Sequence, residues 1–166
     1  MATAVFYVVF AVLGFVVLAL SLRNDFAGRS RDIVDAWYAS TVDKIKKYAE
    51  LECGWNGYDA PMIPPEVIAF SLAVVEEMKS SGPWVALWEV FPTGRETIQF
   101  ETSQTAYVEV EIYKKYAVLF DQSKKSNSEQ VLHAFDAKDV VEKMRSATKV
   151  PLMKKLSWYW YGDTQQ

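Results

Sequence analysis

TIQFETSQTAYVEVEIYKKYAVLF, residues 97–120, decides the fold. Apolar side chains recur at every second position: Ile98 and Phe100, then Val108, Val110 and Ile112. Between them stand Gln99, Glu101, Tyr107, Glu109 and Glu111. Successive side chains of a strand point to opposite faces, so this alternation predicts a sheet with one apolar and one wet face. The segment reads as three strands over 97–102, 106–113 and 116–120, with Lys114 and Lys115 in a turn. Upstream, 84–91 reads as a preceding strand, turned through Pro92, Thr93 and Gly94. Downstream, 124–128 reads as a polar loop and 131–135 as a shorter fifth strand. Connections this short make neighbouring strands antiparallel.

The flanks change period. Ile33, Val34, Trp37, Tyr38, Thr41, Ile45, Tyr48 and Ala49 recur at helical spacing, with Ser30 as the expected N-cap and an end near Cys53. Gly54 suits the left-handed residue after a helix, and Asn56-Gly57 signals a turn. Pro65 and Glu66 suit the first turn of a second helix carrying Val67, Ile68, Leu72, Val74, Val75 and Met78. Ser80, Ser81, Gly82 and Pro83 stop it. Asp136 caps an expected last helix over 137–146. The class is α+β: two helices, a four- to five-stranded antiparallel sheet and a C-terminal helix, behind a single N-terminal transmembrane helix.

The stretch YAELECGWNGYDAPMIPPEVIAFSLAVVEEM, residues 48–78, resembles a small bacterial domain marked by a GWDGYGA-P-I motif, here Gly54-Trp55-Asn56-Gly57-Tyr58-Asp59-Ala60-Pro61. The hairpin Val90-Phe91-Pro92-Thr93-Gly94 and the strand Tyr107-Val108-Glu109-Val110-Glu111-Ile112 fit the same pattern, so the similarity covers roughly 48–147. Asn56 stands where Asp is usual, and Asp59 where Gly is usual. The resemblance implies domain boundaries and a fold class. It implies no activity and no site.

Residues 3–22, TAVFYVVFAVLGFVVLALSL, carry no charge, and Arg23 ends the run. At about 1.5 Å per residue, a helix of this length reaches roughly 30 Å, the thickness of a bilayer core. No Lys or Arg precedes Arg23, and the core is long for a signal peptide, so the segment reads as a retained anchor. Arg23, Arg29, Arg31, Lys44, Lys46 and Lys47 all follow it. By the positive-inside rule the N-terminus is expected outside and the domain in the cytoplasm; the resemblance to a bacterial domain implies that the membrane is a bacterial inner membrane. The lone Cys53 allows no intramolecular disulfide, which suits a reducing compartment. The span offers no usual haem ligand, no proton relay and no GxxxG pair. The resulting organisation is an anchor over 1–23, a connector over 24–30, an α+β domain over 31–148 and an aromatic tail over 149–166.

The chain has 166 residues and a net charge of −3, from 18 basic and 21 acidic residues, with no basic field of the size nucleic acid requires. Glu101, Glu109 and Glu111 read as a solvated sheet face, since no cluster of His or Asp joins them for metal or acid–base work. Cys53 and His133 read as a core thiol and a surface imidazole, not as a nucleophile pair. Trp55 and Tyr58 are expected to pack beneath the sheet. No catalytic, cofactor or metal residue is assigned. The tail sets Leu156, Trp158, Tyr159, Trp160 and Tyr161 beside Lys149, Lys154 and Lys155, a composition favoured at interfaces and at membrane surfaces. These five residues are the expected partner-binding set. The expected role is a non-catalytic accessory subunit, without cofactor, that braces or caps a larger membrane complex of respiratory or photosynthetic type. Its expected partners are integral membrane proteins and the lipid bilayer. The alternative is a membrane-tethered regulatory module that binds a protein or peptide.

Overall fold

A computed structural model describes residues 27–102, 107–121, 128–132 and 136–148. Within them the α+β expectation holds. A helix α1 covers 27–48, α2 runs Pro65–Lys79 and α3 runs Ala137–Ala147. Five strands form one antiparallel sheet in chain order: β1 Glu89–Pro92, β2 Ile98–Thr102, β3 Val108–Ile112, β4 Ala117–Asp121 and β5 Ser128–Leu132. The registers Phe100↔Val110 and Val110↔Leu119 set the inward residues of β2, β3 and β4 side by side. The apolar stretch 3–22 lies outside the described residues, and among those described no helix is long and apolar enough to cross a membrane.

The core lies between the helices and the apolar sheet face. Val34 and Ile45 of α1, Val67, Val74 and Val75 of α2, and Val140 and Met144 of α3 pack with Ile98, Phe100, Val110 and Ile112. Phe100 and Ile112 are wholly buried. Each such side chain contributes about 1.5–3 kcal/mol by leaving water. α1 also closes one edge of the sheet. Trp37 Nε1 donates to the Trp88 carbonyl at 2.9 Å, and the Tyr48 hydroxyl donates to the Val90 carbonyl at 2.8 Å. These alternate carbonyls belong to the outermost strand and its approach, where unpaired backbone groups invite pairing with other chains.

Several boundaries differ from the sequence reading. α1 is already helical at 27, so Ser30 and Gly28 lie inside it, and Ser30 is not its cap. It ends at 48, well before Cys53. The expected strand over 84–91 begins instead with a 3₁₀ turn, Pro83–Leu87. Pro83 presets that turn, and the Trp84 Nε1 bond to the Ser81 carbonyl at 2.8 Å holds it. Trp84, Val85 and Leu87 thereby all reach the core, which a two-fold period would not allow. β5 starts three residues ahead of expectation, because it pairs flush with β4 from Asp121↔Ser128 to Ala117↔Leu132. Asp136 caps α3 as expected, accepting from the Lys138 amide at 2.9 Å.

The Gly-Trp-Asn-Gly corner is built from its backbone. Gly54 (φ 80) and Gly57 (φ 79) both sit in the left-handed region. Asn56 Oδ1 accepts from the Tyr58 amide at 2.9 Å, an Asx turn. The Gly54 amide reaches the Ala60 carbonyl at 2.7 Å and closes the loop. Trp55 is half-buried and donates to the Pro61 carbonyl at 3.1 Å. Tyr58 does not pack under the sheet: it is 81% exposed, because the Asx turn aims it outward. Gly57→Val places a β-branched residue at a φ that only Gly adopts freely. The expected outcome is a loss of roughly 1 kcal/mol or more, read as a lower thermal midpoint; an unchanged midpoint rejects the turn.

Candidate functional site

The helices occupy one side of the sheet, and the chemistry collects on the other. Two strand rows cross this outer face. Glu89, Glu101, Glu109, Phe120 and Glu129 are register partners in one row. Phe91, Gln99, Glu111, Val118 and Val131 are partners in the next. The polar side is therefore not uniform. It is acidic over β1, β2 and β3 and apolar over β4 through Val118 and Phe120, with Val131 of β5 54% exposed and Phe91 of β1 38% exposed.

Glu111 overturns the reading of a wet carboxylate row. It is 6% exposed. Its Oε2 accepts from the Tyr113 hydroxyl at 2.8 Å and from Arg95 Nη2 at 3.1 Å, while its Oε1 accepts from the Thr97 hydroxyl. Thr97 in turn contacts the Thr93 hydroxyl across the turn. A buried carboxylate needs such donors, since an unsatisfied charge away from water is costly. The donors come from the two turns at this end of the sheet, which fold over it. The Arg95 side chain is 67% exposed, so its ion pair is screened and contributes little. The two hydroxyls contribute more.

At the other end of β3, Glu101 and Glu109 lie directly opposite one another. Like charges in that position destabilise a sheet. The Tyr107 hydroxyl donates to Glu109 Oε2 at 2.9 Å with Glu101 Oε2 at 3.4 Å, and Gln99 Nε2 donates to Glu101 at 2.9 Å. Neutral donors thus separate the two carboxylates without cancelling their charge.

The phenols between these acids hold their protons. Tyr107 is pushed up to about 12, by burial first and then by its bond to Glu109 and the charges of Glu109 and Glu101. Tyr113 is also pushed up to about 12, by burial and then by its bond to Glu111, against a smaller opposing effect of Arg95. The face thus offers acceptors and apolar surface. Among the described residues no three of His, Cys, Asp and Glu converge as metal ligands.

Other expected residues fall elsewhere. Cys53 is exposed and not in the core, because α1 stops short and leaves it in the corner loop. His133 lies outside the described residues, as do the expected partner-binding residues Leu156, Trp158, Tyr159, Trp160 and Tyr161. The sequence reading missed Arg95 and Thr97 as partners of Glu111. It also missed the apolar half of the outer face. Its signal was the unbroken run Ala117-Val118-Leu119-Phe120, which lacks the alternation of β3.

No protein-family model matches the chain, and no curated protein and no solved structure matches it either.

Two outcomes test the site. Glu111→Gln leaves one hydroxyl facing an amide N–H and should cost about 1–3 kcal/mol of stability, whereas Glu109→Gln, which removes a like-charge opposition, should be neutral or slightly stabilising; denaturant melts of both variants decide. The pH profile is the second. The phenols have an ordinary value of 10.0 and folded values of about 12, so the folded state keeps its protons longer. Their contribution is fully present below about pH 10 and is lost as pH rises through about 12. Denaturation midpoints should fall across that window, and Tyr107→Phe with Tyr113→Phe should flatten the fall.

Proposed function

We propose that this chain is a non-catalytic accessory subunit, anchored in a bacterial inner membrane by residues 1–23. Its domain sits on the cytoplasmic side and braces or caps a larger membrane complex. The observation that carries the reading is the one-sided cover of the sheet. The described helices pack on one face, while the other exposes Phe91 and Val131 beside Glu89, Glu101, Glu109 and Glu129. Exposed apolar area next to charge is the make-up of an interface with a polar rim. A row of carboxylates kept in opposition at a cost to the sheet suits a partner surface bearing Lys or Arg. The anchor and the tail residues Trp158 and Trp160 supply further contact with integral membrane proteins or with lipid.

The alternative, a tethered module for a soluble protein or peptide, uses the same face but predicts a transient complex. Mild-detergent extraction from the native membrane separates the two. The subunit reading expects co-purification at fixed stoichiometry. Glu89→Lys with Glu129→Lys should loosen that complex without moving the thermal midpoint, because both side chains are exposed. Trp158→Ala with Trp160→Ala should loosen it as well, by about 2 kcal/mol if these are anchor residues. Recovery of the chain alone, with no effect of either pair of changes, rejects the proposal.

A further inference from the structure

At the Glu111 end of the outer face, two turns meet around a cleft of about 260 Å³. Arg95, Glu96 and Thr97 form one wall, and residues 113–116 form the other. Three cations line it, Arg95, Lys114 and Lys115, against the single lining carboxylate of Glu96. With Glu111, which pairs with Arg95, the balance is three cations to two carboxylates, a small positive excess on a chain whose net charge is −3. We infer that the cleft is a binding site for a small phosphate monoester dianion, as a free metabolite or as the headgroup of a lipid.

The first support is the position of Arg95. Nη2 of its guanidinium donates to the buried carboxylate of Glu111, which also accepts from Thr97 and Tyr113. The Arg95 side chain lines the cleft and stays 67% exposed. A guanidinium presents paired donors suited to phosphate oxygens.

The second support is backbone strain in the same wall. Glu96 has φ 62 and is the one non-glycine residue in the left-handed region among the described residues. The Thr93 amide bonds the Thr97 carbonyl at 2.9 Å, closing a three-residue hairpin loop whose last position ordinarily takes Gly. Strain retained at a cleft calls for a reason. Here the retained side chain holds Lys114 Nζ at 3.2 Å. That pair is half-exposed and therefore weak, so an arriving dianion can take Lys114 from Glu96. No described carboxylate pairs with Lys115.

The third support is shape. The Tyr113 and Tyr116 rings stack at 4.5 Å and 12° and make a flat wall. A volume of about 260 Å³ lies below the roughly 300–1,000 Å³ usual for drug-sized ligands. A phosphate with a short organic stem fits this size better than a nucleoside triphosphate does.

The test uses the full chain reconstituted in phosphatidylcholine vesicles, with glycerol 3-phosphate as the titrant and calorimetry as the readout. Saturable binding at millimolar concentration or tighter is expected. Lys115→Glu should weaken it about tenfold or more without changing the thermal midpoint. Glu96→Gly should bind several-fold tighter and melt later, since it removes both the competing carboxylate and the strain. Vesicles containing phosphatidate distinguish the sources. Competition with the titrant assigns a lipid headgroup, and unchanged binding assigns a soluble phosphate ester. No saturable binding, or binding that Lys115→Glu leaves untouched, overturns the site whatever the fate of the accessory-subunit reading.

Discussion

A sheet with one apolar face must be covered on that face, and the rest of this domain follows from that requirement. β2 and β3 present Ile98, Phe100, Val108, Val110 and Ile112 on a single side, all wholly buried. α2 and α3 pack on one another and reach the central strands, and α1 joins the same core through Val34 and Ile45. The gain of about 1.5–3 kcal/mol per buried side chain is set against chain entropy of similar total size, so net stability is small and local polar contacts still matter. Trp37 and Tyr48 show how: while contributing packing area, they also satisfy two backbone carbonyls at and beside β1.

The face opposite the described helices divides into regions with different physics. Around Glu111 the charge is internalised. Hydroxyls from Thr97 and Tyr113 and a guanidinium from Arg95 satisfy it, which ties the two turns at that end to β3. Around Glu101 and Glu109 the charge is left outward and opposed, softened only by Tyr107 and Gln99. Beside both lies the apolar surface of β4 and β5, with Val131 in solvent. A closed polar cluster can orient a cationic cleft. An open acidic row next to apolar area can meet a larger surface. The proposed phosphate site and the proposed docking face are thus separate uses of one sheet.

How far the chain could be read depended on whether a residue's partner was near in sequence. Alternation in 97–120 and helical spacing in 65–79 are local patterns, and they gave the sheet, its antiparallel order and α2. Asp136 and Gly57 were legible because a cap and a left-handed turn act within a few residues. The start of the expected strand, 84–87, differs because Trp and Val favour strands, while Pro83 and a bond from Trp84 fix a 3₁₀ turn. Tyr58 was misplaced because aromatic character suggests burial, and an Asx turn on its neighbour Asn56 outweighed it.

The sequence by itself determined the periodicity of β2, β3, α2 and α3, hence the α+β class and the apolar faces that meet in the core, because those depend on side-chain spacing along one chain. Tertiary structure alone decided which carboxylate is buried. Glu109 and Glu111 occupy equivalent places in the pattern of β3, yet only Glu111 lies under Arg95, Thr97 and Tyr113. Arg95 and Thr97 come from a turn sixteen and fourteen residues away in the chain. Their approach is set by strand register, Ile98 against Ile112, and not by any local preference of the residues concerned.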